Sequence, residues 1–163
     1  MKKLFLIRHA KSSWEDHLLS DFERPLSDRG KKDAPTIGDI LKSKKIVPEL
    51  VISSPARRAI KTAKIFCEIL GYPIDDIIQH KSIYEATTRD LMNIISGIDD
   101  KVNTVLMFGH NPGFTVLANL LSDKYIDNMP TSSVAGFELN LNSWKDIGVG
   151  CGNLILFEYL KKY

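Results

Sequence analysis

Apolar residues recur along this chain in two spacings, and the alternation between them predicts its fold. Leu4-Phe5-Leu6-Ile7, Leu50-Val51-Ile52 and Val105-Leu106-Met107-Phe108 are short continuous apolar runs, the pattern of strands buried on both faces. Between them, Ala59, Ala63, Phe66, Cys67 and Leu70 fall at helical spacing, ending at Gly71. The predicted order is a strand over about 2–8, then a helix capped by Ser27 and running to about Lys44. Pro35 lies inside that helix and is expected to kink or restart it. A strand over about 49–53 follows, then a helix over about 55–70 with Ser54 as cap and Pro55 as first residue. Ile77-Ile78-Gln79 reads as a short strand, and Thr88 to Ser96 as a helix capped by Thr87 or Thr88. A strand over about 103–109 leads into a helix with Asn111 as cap and Pro112 at its start. After Pro130 the pattern changes: Val134 to Leu141 and Asn153 to Tyr159 read as two strands of a long hairpin without helix between them. Strands alternating with helices predict an α/β fold with three layers, α/β/α. Its central sheet is mainly parallel, with an antiparallel strand at one edge. The whole chain, 1–163, reads as a single domain.

The 163 residues are 44% apolar, enough for a core and far from a disordered composition. With 22 basic and 20 acidic residues the net charge is +2. That balance argues against a nucleic-acid binder, which neutralises many phosphates at once. The apolar run after Lys2-Lys3 stops at Arg8, short of the roughly 7–15 residues of a signal peptide. No run approaches the roughly 20 residues of a membrane helix, so a cytoplasmic protein without membrane contact is expected, by default a monomer. Cys67 on an apolar helix face and Cys151 beside glycines do not read as a disulfide framework.

Chemistry gathers at the strand ends. Arg8 and His9 close the first strand, Ser53-Ser54-Pro55-Ala56-Arg57-Arg58 the second, and Gly109-His110-Asn111 the fourth. In open α/β sheets the ligand crevice lies at the carboxyl ends of the strands. Two helix N-termini point to the same edge, adding backbone N–H groups and dipole. A pocket built from Arg8, His9, Arg58 and His110 suits a tetrahedral dianion, which means phosphate.

These segments resemble the histidine phosphatase superfamily, the phosphoglycerate-mutase-like fold. Arg8-His9-Ala10 with Ser12 and Trp14 is similar to its RHG signature, and Pro25-Leu26-Ser27-Asp28-Arg29-Gly30 to its PLTxxG segment. Ser53 to Ala63 resembles its SSPxxRAxQTA helix start, which assigns the family arginine to Arg58. Tyr84-Glu85 resembles the segment carrying the family's acid, and Gly109-His110 its second histidine. The Arg-His-Ala-Lys start and the absence of large insertions are most similar to the SixA-type phosphohistidine phosphatases. Two positions depart from the pattern: Ala10 stands for glycine, and Lys11 for the glutamate of many relatives.

The resemblance implies that His9 attacks phosphorus and carries a phosphohistidine intermediate. Arg8 and Arg58 would bind phosphoryl oxygens, His110 in its charged form would stabilise them, and Glu85 would serve as general acid. Lys11 and Asn111 are further candidate substrate contacts; Trp14 reads as packing, and no metal or cofactor is required. The expected activity is removal of phosphate from a histidine-phosphorylated protein. The alternatives are hydrolysis of a small phosphorylated metabolite and a non-catalytic phospho-ligand module. A mutase is disfavoured, because nothing resembles the segments that would shield an intermediate from water.

Overall fold

The computed structural model describes residues 1–160. Its strands are β1 (Lys2–Arg8), β2 (Leu50–Ser53), β3 (Ile78–Gln79), β4 (Thr104–Gly109), β5 (Val134–Leu139) and β6 (Gly152–Glu158). Its helices are α1 (Asp28–Ser43), α2 (Arg57–Leu70), α3 (Thr88–Ser96) and α4 (Gly113–Leu121). One sheet holds all six strands in the order β3-β2-β4-β1-β5-β6. The first four are mutually parallel; β5 runs antiparallel to β1, and β6 antiparallel to β5. The fold is therefore α/β with a mainly parallel sheet, and the antiparallel hairpin extends it to the β6 edge.

Strand alternation sends successive side chains of β1 and β4 to opposite faces. Leu4, Leu6, Val105 and Met107 meet Leu91 and Ile95 of α3 and Leu117 of α4 on one side. Phe5, Ile7, Leu106 and Phe108 meet Ile37 and Leu41 of α1 and Phe66 of α2 on the other. These are the outer layers of the three-layer arrangement. Burying each such side chain stabilises the fold by about 1.5–3 kcal/mol before entropy is counted.

Several predicted boundaries fall where expected. Ser27 caps α1, its side chain accepting from the Gly30 N–H at 3.1 Å. Gly71 ends α2 in the left-handed conformation, φ 79°. Thr87 caps α3 in a reciprocal capping box with Asp90. Other details differ. Helix α1 runs through Pro35 without restarting; Ala34, Ile37, Gly38 and Leu41, all buried around it, hold both halves to the sheet. Helix α2 is capped at Ala56, two residues after Ser54. The Ser54 hydroxyl still accepts the Ala56 N–H at 3.2 Å, but its other partner is a histidine ring. Asn111 likewise precedes the first residue of α4 by two, with its Oδ1 accepting the Thr115 N–H at 3.3 Å. Between β5 and β6 a short 3-10 turn, Trp144–Asp146, tucks in the fully buried Trp144, a piece too short to give a helical period.

Candidate active site

Strands β1 and β4 lie side by side at the centre of the sheet, with Arg8 opposite Gly109. The next residue of each chain segment, His9 and His110, therefore emerges at the same height. Their rings stand 5.1 Å apart between centroids. Arg58, in the first turn of α2, joins them. Together with Lys11, Ser12, Trp14, Arg24, Asn111 and Thr131 these residues surround a cavity of about 350 Å³. His9, Arg24, Arg58 and His110 are all buried.

The His9 ring is fixed by its own neighbour: Nδ1 lies 2.7 Å from the Ala10 carbonyl oxygen. A carbonyl only accepts, so the ring proton sits on Nδ1 and Nε2 keeps its lone pair. Burial pushes the His9 pKa down to about 3, with further lowering from His110, Arg58 and Arg8, against the Ala10 carbonyl that favours the charged form. His9 is thus a neutral imidazole amid cations. The alanine at position 10 is harmless here, because its backbone does not take a positive φ. Its N–H donates to Thr62 Oγ1 at 3.0 Å, tying the loop to α2.

His110 differs from the charged ring that the sequence predicts. Burial, then Arg58, lower its pKa to about 4, with Arg8 adding to the effect and Asp21 opposing it. Its Nε2 is 2.7 Å from the Ser54 hydroxyl, whose oxygen already accepts the Ala56 N–H. The hydroxyl proton has no other acceptor among the described residues, so it donates to Nε2 and the neutral ring carries its proton on Nδ1. That Nδ1 and the Nε of Arg8 are buried without a hydrogen-bond partner among the described residues. Two orphaned N–H groups in one cationic cavity call for an acceptor such as an oxyanion.

The arginines are held mostly by main chain. Arg8 donates to the Met129 carbonyl at 2.9 Å, and burial first, then the like charge of Arg58, lowers its pKa. Arg58 donates to the Asp21 carbonyl at 2.6 Å and to the Asp21 carboxylate at 3.0 Å. Asp21 also takes the Tyr84 hydroxyl at 2.6 Å and Arg24 at 2.8 Å. The Tyr84 hydrogen bond first, then Arg58 and Arg24, hold its carboxyl at about 2, against an opposing effect of burial second in size only to the Tyr84 bond. The Tyr84 ring meets His110 edge-on at 5.5 Å.

Asp21, Arg24, Tyr84 and Ser54 are thus working parts of the site that sequence reading treats as loop, flank or cap. The available signal was position: Arg24 directly precedes Pro25-Leu26-Ser27, and Tyr84 precedes Glu85. Glu85 itself is exposed, has φ 57° and is not among the cavity's lining residues. Lys11 is exposed at the rim. The Asn111 side chain is committed to the scaffold, donating to Asn128 Oδ1 and the Met129 carbonyl and accepting from Thr115. Gly30 is required by close approach: a Cβ there would lie 2.2 Å from the Lys11 carbonyl oxygen. Cys67 and Cys151 are free thiols, and burial pushes Cys67 up to about 12. Among the described residues, no three His, Cys, Asp or Glu side chains are grouped to hold a metal ion, and no helix is long and apolar enough to cross a membrane.

Known proteins resemble this chain in sequence and fold. An uncharacterised chloroplastic protein of Arabidopsis thaliana is 34% identical over 153 residues, spanning 89% of this chain and 70% of that one. A candidate phosphohistidine phosphatase SixA from Agrobacterium tumefaciens superposes with a TM-score of 0.80 at 25% identity, covering 98% of both chains. The protein histidine phosphatase SixA solved with tungstate shares the fold, with a TM-score of 0.81 at 22% identity over 95% of each chain. The model of the histidine phosphatase superfamily (branch 1) matches residues 4–93, from β1 through α3, and with the two histidines and Arg58 gathered in one pocket the chain belongs to that superfamily.

Proposed function

We propose that this phosphatase hydrolyses the P–N bond of phosphohistidine on a protein, through a covalent intermediate on His9. The observation that carries the reading is the state of His9: a buried, neutral ring with Nδ1–H anchored and Nε2 free, set among Arg8, Arg58 and His110. A neutral nucleophile beside fixed cations is what attack on a phosphoryl dianion requires.

In the first step the lone pair of His9 Nε2 forms a bond to phosphorus as the bond to the substrate's ring nitrogen breaks. The departing imidazole takes a proton from solvent on its other nitrogen as the bond breaks, and leaves neutral. Arg8 and Arg58 hold the equatorial oxygens, and the unpartnered Nδ1–H of His110 donates to one of them. The dianion also favours the protonated ring, opposing the burial that keeps His110 neutral. In the second step water attacks phosphorus, its proton passes to the phosphate released, and His9 returns as a neutral ring. Lys11 draws anionic substrate to the rim, and Asn111 acts through its main chain. The cationic side chains supply the charge that a metal would bring.

The choice of phosphohistidine over small phosphomonoesters rests on acids. Among the described residues no carboxylate lines the cavity. Asp21, which touches its arginines, is held ionised with a pKa of about 2 and cannot donate a proton near neutrality. An alkoxide needs that proton, and general acid catalysis is typically worth about 10²–10⁴-fold; imidazole, with a conjugate-acid pKa of roughly 6.5, does not. Phosphate release from a phosphohistidine-bearing protein and from small phosphomonoesters, in wild type and Glu85→Gln, decides the matter. Phosphohistidine should be the better substrate by kcat/KM, and Glu85→Gln should stay within about tenfold on it. Faster phosphomonoester turnover that collapses in Glu85→Gln would assign Glu85 as acid and overturn the reading.

A further inference from the structure

We propose that Trp14 is a specificity-determining platform on which the departing group stacks, so that the pocket selects phosphoryl donors with a flat, uncharged aromatic leaving group. The phosphohistidine reading enters only in naming imidazole as that group.

Trp14 is 69% exposed, an unusual state for the largest apolar side chain, and yet it lines the same cavity as His9, Arg58 and His110. It is not loosely placed. The guanidinium of Arg24 lies over one face of the indole, its Cζ 3.1 Å from the ring centroid. Arg24 is itself buried and anchored by its donors to Asp21 Oδ1 at 2.8 Å, to the Ser13 carbonyl at 3.2 Å and to the Ser12 hydroxyl. One face of the ring is therefore taken by an internal cation fixed to the pocket wall, while the ring as a whole stays 69% exposed along the cavity, surface left for a second flat group. Packing does not account for that geometry, because a packing tryptophan buries both faces, as Trp144 does at 0% exposure.

The back-face cation also sets the preference. An indole attracts one cation through the negative face of its π-system. With Arg24 already bound, a second cation on the front face meets like charge. A neutral ring suffers no such repulsion and gains the stacking contact. Imidazole leaving a phosphohistidine is neutral, planar and attached directly to the phosphorus that the pocket holds.

The test is a ratio of ratios, which cancels the intrinsic reactivities of the substrates. Phosphoimidazole is compared with phosphoramidate, both P–N donors but only one with a ring, and phenyl phosphate with ethyl phosphate. In each pair kcat/KM is measured for wild type, Trp14→Ala and Trp14→Phe. Trp14→Ala should lower the ring-to-no-ring ratio by about two- to twelvefold, the span of one aromatic contact, and Trp14→Phe should restore most of it. An unchanged ratio overturns the platform, whether or not both rates fall, since a mere prop for Arg24 would slow every substrate alike. If neither P–N donor is cleaved, the phosphohistidine reading falls, and the platform is decided by the phenyl-to-ethyl ratio alone.

Discussion

The groove beside β3 is larger than the cavity around His9, about 560 Å³ against about 350 Å³, and it too contains a histidine. His80 stands there with Ile52, Ile78, Asp90 and Asp99. The two differ in what their polar groups are doing. In the groove, His80 is only half-buried, and the Asp90 carboxylate is spent on the N-terminus of α3, accepting the Thr87 N–H at 2.9 Å. In the cavity, two rings and two arginines converge from three strand ends, and two of their N–H groups are buried without partners among the described residues. Apolar lining makes volume. Convergent, desolvated donors make a reaction site, and only the smaller hollow has them.

Replacing the histidine of each hollow tests this difference most sharply. His9→Ala should reduce phosphate release by about 10⁴-fold or more, as expected for loss of a covalent nucleophile. His80→Ala should stay within about twofold. Both are read on one substrate, with circular dichroism to confirm folding, and comparable losses would break the contrast.

The next largest effect concerns the charge that only the smaller cavity gathers. Arg58→Ala should weaken tungstate binding by about 2–5 kcal/mol, roughly 30- to 5,000-fold in Kd, because a buried charge-assisted contact is removed. Isothermal titration in the presence of EDTA measures it. Wild-type binding abolished by the chelator would show that a metal, not the arginines, carries the anion.

The remaining effect is one of stability. His9 and His110 titrate near 3 and 4 in the folded chain and near 6.5 when unfolded. Between those values the unfolded chain takes up protons that the folded one refuses, so stability falls as pH drops below about 6.5. The slope reaches at most about 2.7 kcal/mol per pH unit if both rings contribute, and the two are close enough to titrate as a pair. Asp21, depressed to about 2, adds its own loss below its ordinary value of 3.8. Urea midpoints from pH 8 to 4.5 should decline in wild type and flatten in the His9→Asn/His110→Asn double variant. Matching declines would place the titration elsewhere.

Sequence reading reached the parts of the fold set by local pattern. Buried strands, the Ser27 and Thr87 caps and the Gly71 stop each follow from a few consecutive residues. It placed the cavity's central members because strand ends in an open sheet converge by geometry alone. It missed Asp21, Arg24 and Tyr84, whose meeting joins residues 21 and 84, 63 positions apart, through no repeating pattern. It also expected a charged His110, because the lowering of that ring depends on burial that only the folded chain supplies. Trp14 reads as packing along the chain; its pairing with Arg24 exists only in the folded protein.

The group that orients the His9 ring is the main-chain carbonyl of residue 10, which every amino acid possesses. The same holds for the Met129 carbonyl that seats Arg8 and the Asp21 carbonyl that seats Arg58. A deep mutational scan would find His9 and the arginines, but no single codon encodes what aims the ring. A lineage can thereby exchange glycine for alanine at position 10, a fully buried site with room only for a small side chain, while inheriting the same tautomer. To alter it genetically the loop itself must be rerouted, by insertion or deletion.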